Sequence, residues 1–305
     1  MTGSEKREEL RSALESTRAQ LEATNARIEA RAGRNLFFAI LSGLVFGGVF
    51  LVSLLLVKEL FVVLVAALVG VALVELASAF RVAGRRVPRI GVVLGGLTVV
   101  VGAYLWGAEG MLLGLFAGSA LLTVWRLLEG LLPAWETPPR TLIRDVFSGL
   151  FTLVYVAFLA SFTVLLVAAD RGEWWVFSLV LIVVSVDVGA YAAGVTLGRH
   201  KMTPRISPNK TWEGFIGAAI VAMAVGVLAS IFALQQPWWV GIILGVVVLL
   251  TATGGDLTES LIKRNLGVKD MSSWIPGHGG FLDRLDSVLP SAVGVYGVAL
   301  VLGVV

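Results

Sequence analysis

The segment from Gly254 to Ser287 mixes acidic and basic side chains in a pattern that suits phosphate chemistry. Its acidic residues are Asp256, Glu259, Asp270, Asp283 and Asp286, and its basic residues are Lys263, Arg264, Lys269 and Arg284. Carboxylates hold Mg²⁺, whereas lysine and arginine neutralise phosphate oxygens. Asp283 and Asp286 are three residues apart, so they share one face where the segment is helical. The pattern predicts a metal–polyphosphate site.

The same segment contains a glycine-rich turn, Pro276 to Gly280, with His278 at its centre. Glycine on both sides of the histidine would let the backbone come close to a ligand. A solvated charged loop would explain the charges of the segment, but it would not require this turn.

A second polar segment, Ser207 to Gly214, precedes an apolar stretch. Ser207 or Thr211 would cap the helix formed by that stretch, and Glu213 in its first turn would interact well with the helix dipole. A capped helix start explains these residues without a ligand. Alternatively, Lys210 and the unpaired N–H groups at the helix start would together seat a phosphate group.

These segments interrupt a chain of 305 residues that is 57% hydrophobic and 15% charged, with a mean hydropathy of +0.89. Ordinary soluble domains have about 45–50% apolar and about 25% charged residues, so the composition predicts an integral membrane protein. The net charge of +3 is too small to indicate nucleic-acid binding. The absence of cysteine excludes disulfides and thiolate chemistry.

Apolar stretches near the length of a bilayer span, about 20 residues, recur nine times. They are residues 35–57, 60–80, 90–107, 111–126, 146–169, 174–197, 213–234, 238–255 and 287–305. With the N-terminus inside, all basic residues except Lys58 and Arg171 fall in cytoplasmic segments. The positive-inside rule therefore predicts an all-α integral membrane protein of about nine transmembrane helices, with its N-terminus inside and its C-terminus outside.

The chain is expected to divide into three regions. Residues 1–33 are predicted to form a charged cytoplasmic N-terminal helix, and no cleavable signal peptide is expected. Residues 34–170 are the N-terminal transmembrane helices, with five spans. Residues 171–305 are the catalytic transmembrane region, with four spans and the cytoplasmic motif loops.

Two acidic residues fall inside predicted spans, where a charge is costly and indicates function. Asp187 precedes Arg199 by three helical turns, which places it about 18 Å deep at helical rise. It must face a cavity, a metal or another helix, and a structural hydrogen bond between helices is the simpler alternative. Glu75 lies close enough to Arg81 to snorkel to the interface in a structural role.

The stretch from Ser260 to Asp286 resembles the signature of the phosphatidate cytidylyltransferase family, also called CDP-diacylglycerol synthases. The matching positions are Ser260, Lys263, Arg264, Lys269, Asp270, Pro276, His278, Gly279, Gly280, Asp283, Arg284 and Asp286. Upstream matches are Asp187, Ala190, Tyr191, Gly194, Gly198, Ser207, Pro208, Lys210, Thr211, Glu213 and Gly214. The motif resemblance covers roughly residues 187–287, and the first half resembles the family only in its hydrophobic architecture.

This resemblance implies that phosphatidate, a phosphatidic acid, attacks the α-phosphorus of CTP and gives CDP-diacylglycerol and pyrophosphate. It implies Mg²⁺, alone or with a second cation, at Asp256 and Asp283, with Asp286 as a further metal residue and Asp187 as a helper. The expected location is a bacterial inner membrane, with the active site facing the cytoplasm. A homodimer is suggested by the same resemblance, and no nucleic-acid partner is expected.

The other matched side chains are assigned to the substrates. Three cations would neutralise the triphosphate or the leaving pyrophosphate: Lys210, Lys263 and Arg264. Two hydroxyls, those of Ser207 and Thr211, would orient phosphate oxygens, and His278 would donate to a phosphate or shuttle a proton. The further substrate-binding candidates are Asp187, Tyr191, Glu213, Lys269 and Arg284. A structural ion-pair network is the alternative for Lys269, Asp270 and Arg284.

Rival functions make distinct demands on the sequence. A CTP-dependent lipid kinase, or a cytidylyltransferase acting on an ether or prenyl lipid, would use similar groups and differs only in its substrate. A CDP-alcohol phosphotransferase would need a D-x-x-D-G-x-x-A-R motif, but Asp286 is followed by Ser287-Val288-Leu289. A transporter would explain the spans and Asp187, but the chain shows no internal repeat.

Overall fold

A computed structural model describes residues 36–132, 137–272 and 279–305. The helices are α1 (Leu36–Leu56), α2 (Lys58–Val82), α3 (Arg89–Leu131), α4 (Pro139–Thr152), α5 (Leu159–Ala168), α6 (Gly172–Leu197), α7 (Trp212–Ala229), α8 (Trp238–Leu266), α9 (Leu282–Leu285) and α10 (Val288–Val301). Wider π-helical turns occupy Leu153–Phe158 and Ser230–Leu234. Two strands, β1 (Lys201–Thr203) and β2 (Ser207–Thr211), form a hairpin between α6 and α7. The helix predicted for residues 1–33 lies outside the described residues.

Seven of the described helical segments are long and apolar enough to cross a membrane. They are Lys58–Val82, Arg89–Leu131, Pro139–Ala168, Gly172–Leu197, Trp212–Leu234, Trp238–Leu266 and Leu282–Val301. Helix α1 adds a shorter apolar stretch, Gly47–Leu56. The described chain is therefore a multi-pass all-α membrane protein with one small β-hairpin, and the predicted fold class is confirmed at this level.

Helix α3 is broken near its middle and folds back on itself. Trp106 and Gly107 have non-helical backbone angles, and Gly107 has a φ of +62°. The two arms touch through glycine: a Cβ added at Gly102 would lie 2.2 Å from the carbonyl oxygen of Gly110. The Thr98 hydroxyl donates to the carbonyl of Gly114 on the opposite arm at 2.8 Å. Small residues permit this close approach of helices in a membrane.

A buried ion pair lies at the end of the N-terminal helices that is predicted to face the cytoplasm. Arg126 of α3 and Asp145 of α4 are both inaccessible to solvent, and Arg126 Nη2 lies 2.8 Å from Asp145 Oδ2. The other carboxylate oxygen accepts a hydrogen bond from the backbone N–H of Arg86, in the α2–α3 loop, at 3.1 Å. One side chain, Asp145, thus ties together three segments of the fold.

Helix α8 lies between α7 and α10 and carries the charged segment. On one side, Gly241 of α8 meets Gly226 of α7 so closely that a Cβ on either would lie 2.3 Å from the other's carbonyl oxygen. On the other side, the Thr251 and Ser291 hydroxyls are 2.9 Å apart, which joins α8 to α10. Further along α8, Gly255 packs against the start of α10. These contacts hold α8 in place, and charged residues of the site lie further along the same helix.

Candidate active site

The polar segment Ser207 to Thr211 forms strand β2 and then starts helix α7. It pairs antiparallel with β1, with Lys201 opposite Thr211 and Thr203 opposite Ser207. The Thr211 hydroxyl accepts a hydrogen bond from the N–H of Gly214 at 3.1 Å, so the predicted helix cap is confirmed for Thr211. The strand itself was not predicted from the sequence.

A cavity of about 300 Å³ lies between α6, β2, α7 and α8. The predicted site residues that line it are Asp187, Tyr191, Ser207, Lys210, Thr211 and Asp256. Asp187 therefore faces a cavity, which is one of the three surroundings predicted for it. Asn209 also lines the cavity and was missed, although it lies within the recognised polar segment. Four separate elements thus bring these polar groups together.

Lys210 and Asp256 form an ion pair within this cavity. The Lys210 ammonium, on β2, lies 2.6 Å from Asp256 Oδ2, on α8, and both side chains are partly exposed. The other oxygen of Asp256 accepts a hydrogen bond from the Ser260 hydroxyl at 3.3 Å. Asp187 lies within electrostatic range of both members of the pair. The cavity wall therefore presents a cation and two carboxylates.

The helix start beside Lys210 is less open to a ligand than the sequence predicted. The N–H of Trp212 donates to the carbonyl of His200 at 3.0 Å, and the N–H of Gly214 is taken by Thr211. The prediction of unpaired N–H groups is wrong for these two positions, because the hairpin and the cap already occupy them. A phosphate at this point would rely on Lys210 and on hydroxyl groups.

Glu213, a predicted substrate-binding residue, holds the entry to the hairpin. Its carboxylate accepts hydrogen bonds from the backbone N–H groups of Arg199 and His200 at 3.1 to 3.3 Å. It also lies 2.6 Å from His200 Nδ1. These contacts give Glu213 a clear structural role at the hairpin, outside the residues that line the cavity.

A second charged cluster lies further along α8. The Lys263 ammonium is 2.6 Å from Glu259 on its own helix and 2.9 Å from Asp283 on α9. The second oxygen of Asp283 accepts hydrogen bonds from the backbone N–H groups of Met271 at 3.1 Å and Gly280 at 2.7 Å. Lys263 thus joins α8 to the glycine-rich turn through Asp283.

Carboxyl groups outnumber ammonium groups around this cluster. Glu259 is 1% exposed, and its Oε1 atom has no hydrogen-bond partner within the described chain. Asp286 interacts electrostatically with Asp256 and Lys263. Within residues 36–132, 137–272 and 279–305, no group of three acidic or histidine side chains is arranged to hold a metal by itself. Mg²⁺ commonly takes only one or two carboxylates and completes its shell with water and substrate phosphates, so this oxygen-rich cluster fits it.

The remaining predicted residues are placed as follows. Arg264 Nε donates to the carbonyl of Ile206 at 2.7 Å, which ties α8 to the hairpin turn. Tyr191 is 74% exposed at the cavity mouth, and Lys269 is exposed in the segment after α8. Arg284 lies in α9, within electrostatic range of Asp187. His278 lies outside the described residues.

Glu75 is a functional candidate whose contacts could not be predicted from the sequence. Although it lies in α2, its carboxylate accepts hydrogen bonds from the backbone N–H groups of Phe281 at 3.0 Å and Leu282 at 2.8 Å, and from the Ser272 hydroxyl. The side chain is 1% exposed. The snorkelling interpretation is therefore wrong: Glu75 points into the protein and contacts the second cluster's turn.

Comparison with known proteins covers nearly the whole described chain. A model of the cytidylyltransferase family matches residues 38–302. The chain belongs to the cytidylyltransferase family. This membership makes it a nucleotidyltransferase, and the resemblance first seen in residues 187–287 extends over the N-terminal helices as well.

Individual cytidylyltransferases agree with the family match. A phosphatidate cytidylyltransferase of Mycobacterium bovis is 38% identical over 275 residues, which cover 87% of this chain and 89% of the relative. The protein of that name from Mycobacterium leprae is 41% identical over 86% of this chain and 87% of its own. The one from Bacillus subtilis is 34% identical over 82% and 92% respectively.

Proposed function

We propose that this cytidylyltransferase joins CTP to phosphatidate, giving CDP-diacylglycerol and pyrophosphate. The supporting observation is the cavity in which Lys210 and Asp256 form an ion pair beside Asp187, with the Lys263 cluster further along α8. The printed names of the relatives supply the two substrates. The cavity volume is at the lower end of the range for ligand pockets, about 300–1,000 Å³, and suits the phosphate end of a nucleotide.

The proposed reaction makes one P–O bond and breaks another. An oxygen of the phosphatidate phosphate attacks the α-phosphorus of CTP, and the bond from that phosphorus to the α,β-bridging oxygen breaks, releasing pyrophosphate. A phosphate monoester has its second pKa near 6, so the nucleophile is already largely a dianion at neutral pH. The protein must therefore hold two anions together, and positioning and charge neutralisation supply most of the catalysis.

In this proposal Lys210 and Lys263 neutralise phosphate oxygens, and Arg264 supports them from the hairpin side. The Thr211 hydroxyl accepts from Gly214, which leaves its own proton to donate to a phosphate oxygen. Ser207 supplies a second hydroxyl at the cavity wall. The roles of His278, Lys269 and Arg284 toward the substrates stay predictions.

We propose Mg²⁺ as the cofactor, held by Asp256 and Asp286. Asp283 would join them, and both Asp256 and Asp283 would bind the cation where it takes over a lysine contact, since both oxygens of each carboxylate already have partners. A bound divalent cation would supply charge neutralisation to the triphosphate.

We further propose nine crossings, with the N-terminus inside and the active site at the cytoplasmic face of a bacterial inner membrane. The broken α3, with its two arms packed together, would supply two crossings, and α1 would supply the first. The asymmetric distribution of lysine and arginine supports the orientation.

The test is pyrophosphate release by the purified full-length protein in detergent, with Mg²⁺, CTP and phosphatidate, beside Asp283→Asn. The expected result is release that requires both substrates and falls strongly in the variant. Asp170→Asn, in the exposed loop before α6, is the matched control and should keep wild-type activity. Formation of CDP with a newly phosphorylated lipid would instead show a CTP-dependent lipid kinase, and no turnover with any phosphatidate would refute the proposal.

A further inference from the structure

Glu75 connects the N-terminal helices to the turn that carries Asp283. We propose that Glu75 is a positioning residue for the reaction: it fixes the backbone of residues 280–282 so that Asp283 faces Lys263. This inference rests on the proposed function for its kinetic consequence. The contacts of Glu75 with the turn do not depend on that function.

Two carboxylates divide the backbone N–H groups at the start of α9. Gly280 donates to Asp283 Oδ2, whereas Phe281 and Leu282 donate to Glu75. Helix α9 has only four residues, so these N–H groups have no earlier helical turn to pair with. Without Glu75, the buried N–H of Leu282 would lose its partner, and Asp283 would lose the rigid backbone from which it reaches Lys263.

The contact also explains a small residue in the turn. A Cβ added at Gly280 would lie 2.9 Å from both carboxylate oxygens of Glu75. A side chain at that position would therefore force either the turn or the Glu75 carboxylate to shift. Because Glu75 is almost fully buried, no water can replace the carboxylate cheaply, and the buried N–H of Leu282 would stay unsatisfied.

The experiment compares Glu75→Gln with Glu59→Gln in the full-length protein. Glu59 lies at the other end of α2, where it accepts a hydrogen bond from Tyr104. For Glu75→Gln we expect kcat to fall about 10- to 100-fold, as for groups that orient a site from outside it, with KM for CTP nearly unchanged. We also expect faster hydrogen–deuterium exchange in residues 279–286 and no change elsewhere. Glu59→Gln should match the wild type in both measurements.

A second variant tests the contact from the other side. Gly280→Ala should give the same lower kcat and the same local exchange, because its Cβ displaces the turn from Glu75. Since both changes break one interaction, the double variant should lose less than the product of the two single losses.

Wild-type kcat in Glu75→Gln, unchanged exchange in residues 279–286, or multiplicative losses in the double variant would each overturn the proposal. A loss explained by lower thermal stability of the whole protein would overturn it too. If the wild type shows no turnover with CTP and phosphatidate, the proposed function fails, while the exchange measurement still decides whether Glu75 holds the turn.

A groove of about 460 Å³ on the opposite side of α8 carries a separate inference. Its walls are mainly apolar, with Phe147 and Phe151 from α4 side by side with Leu261 and Ile262 from α8, and two arginines also line it. Arg85 donates to the Ser148 hydroxyl at 3.3 Å, and Arg144 donates to the carbonyl of Gly84 at 2.9 Å. Each guanidinium is thus oriented by a hydrogen bond through one of its nitrogens.

We infer that this groove binds an anionic phospholipid, with the phosphate at Arg85 and Arg144 and an acyl chain along the apolar wall. Basic pockets between transmembrane helices recognise anionic headgroups, and arginine suits phosphate geometry. Helical spacing puts Leu261 and Ile262 on the face of α8 away from Asp256 and Lys263. The bound lipid is therefore a resident lipid and not the reacting one.

The test quantifies phospholipid that co-purifies with the protein in mild detergent, by mass spectrometry, for the wild type and for Arg85→Gln/Arg144→Gln. The wild type should retain phosphatidylglycerol or another anionic phospholipid, and the double variant should retain several-fold less. Arg89→Gln/Arg140→Gln removes the same charge from exposed positions and should behave as the wild type. Equal retention by both double variants, or retention of zwitterionic lipid alone, would overturn the inference.

Discussion

Lys263 is the residue whose removal should disturb the site most, because its ammonium contacts two carboxyl groups there. Its ammonium is 2.6 Å from Glu259 and 2.9 Å from Asp283, and its side chain is 18% exposed. In Lys263→Met a side chain of similar length replaces the cation. Glu259 and Asp283 would then face each other without it, beside Asp286.

The size of the effect follows from these distances. At an effective dielectric constant of about 20, each contact contributes roughly 6 kcal/mol of Coulomb attraction, and desolvation of the charges offsets much of it. Removing one partner of a buried pair costs about 3–5 kcal/mol. Because Lys263 is slightly exposed, we take the lower end of this range, about 3 kcal/mol. If this whole free energy is lost from the transition state, kcat should fall about 100-fold.

Pyrophosphate release at saturating substrates measures kcat, and titration of CTP measures KM. If Lys263 also touches the triphosphate, KM for CTP should rise along with the fall in kcat. The double variant Lys263→Met/Glu259→Gln changes both members of one contact and should be no worse than Lys263→Met alone. The exposed Lys58→Met is the control. A single variant with normal kcat, or a double variant that is additively worse, would refute the charge-balance reasoning.

Two further predictions concern the scaffold. Arg126→Met should lower the free energy of unfolding by about 3–5 kcal/mol, since it leaves Asp145 charged and fully buried. Thermal unfolding in detergent should show the loss. Adding Asp145→Leu to this variant should restore most of the lost stability. Gly102→Ala should cost about 1–3 kcal/mol through overpacking against Gly110, and an unchanged melting temperature would argue against the tight α3 hairpin.

Local chemistry made some features predictable from the sequence, and distant contacts made others unpredictable. A charge inside an apolar stretch indicated that Asp187 faces a cavity, a metal or another helix, and residue type and position indicated a cap at Ser207 or Thr211. The β-hairpin was missed because Pro208, Asn209 and Lys210 favour turns over strands. The role of Glu75 was missed because its partner Phe281 is 206 residues away, and no local pattern carries that contact.

Two lysine–carboxylate contacts balance the charges of the site before substrates bind. Lys210 with Asp256, and Lys263 with Asp283, neutralise each other while no substrate is present. When triphosphate oxygens take over the lysines, the carboxylates lose their partners and attract a cation more strongly. Nucleotide and cation should therefore bind with positive coupling, which is reciprocal. CTP affinity measured at low and high Mg²⁺ should show it. Lys210→Met should weaken the coupling, because Asp256 would then lack a lysine in every state; coupling equal to that of the wild type would contradict this exchange of partners.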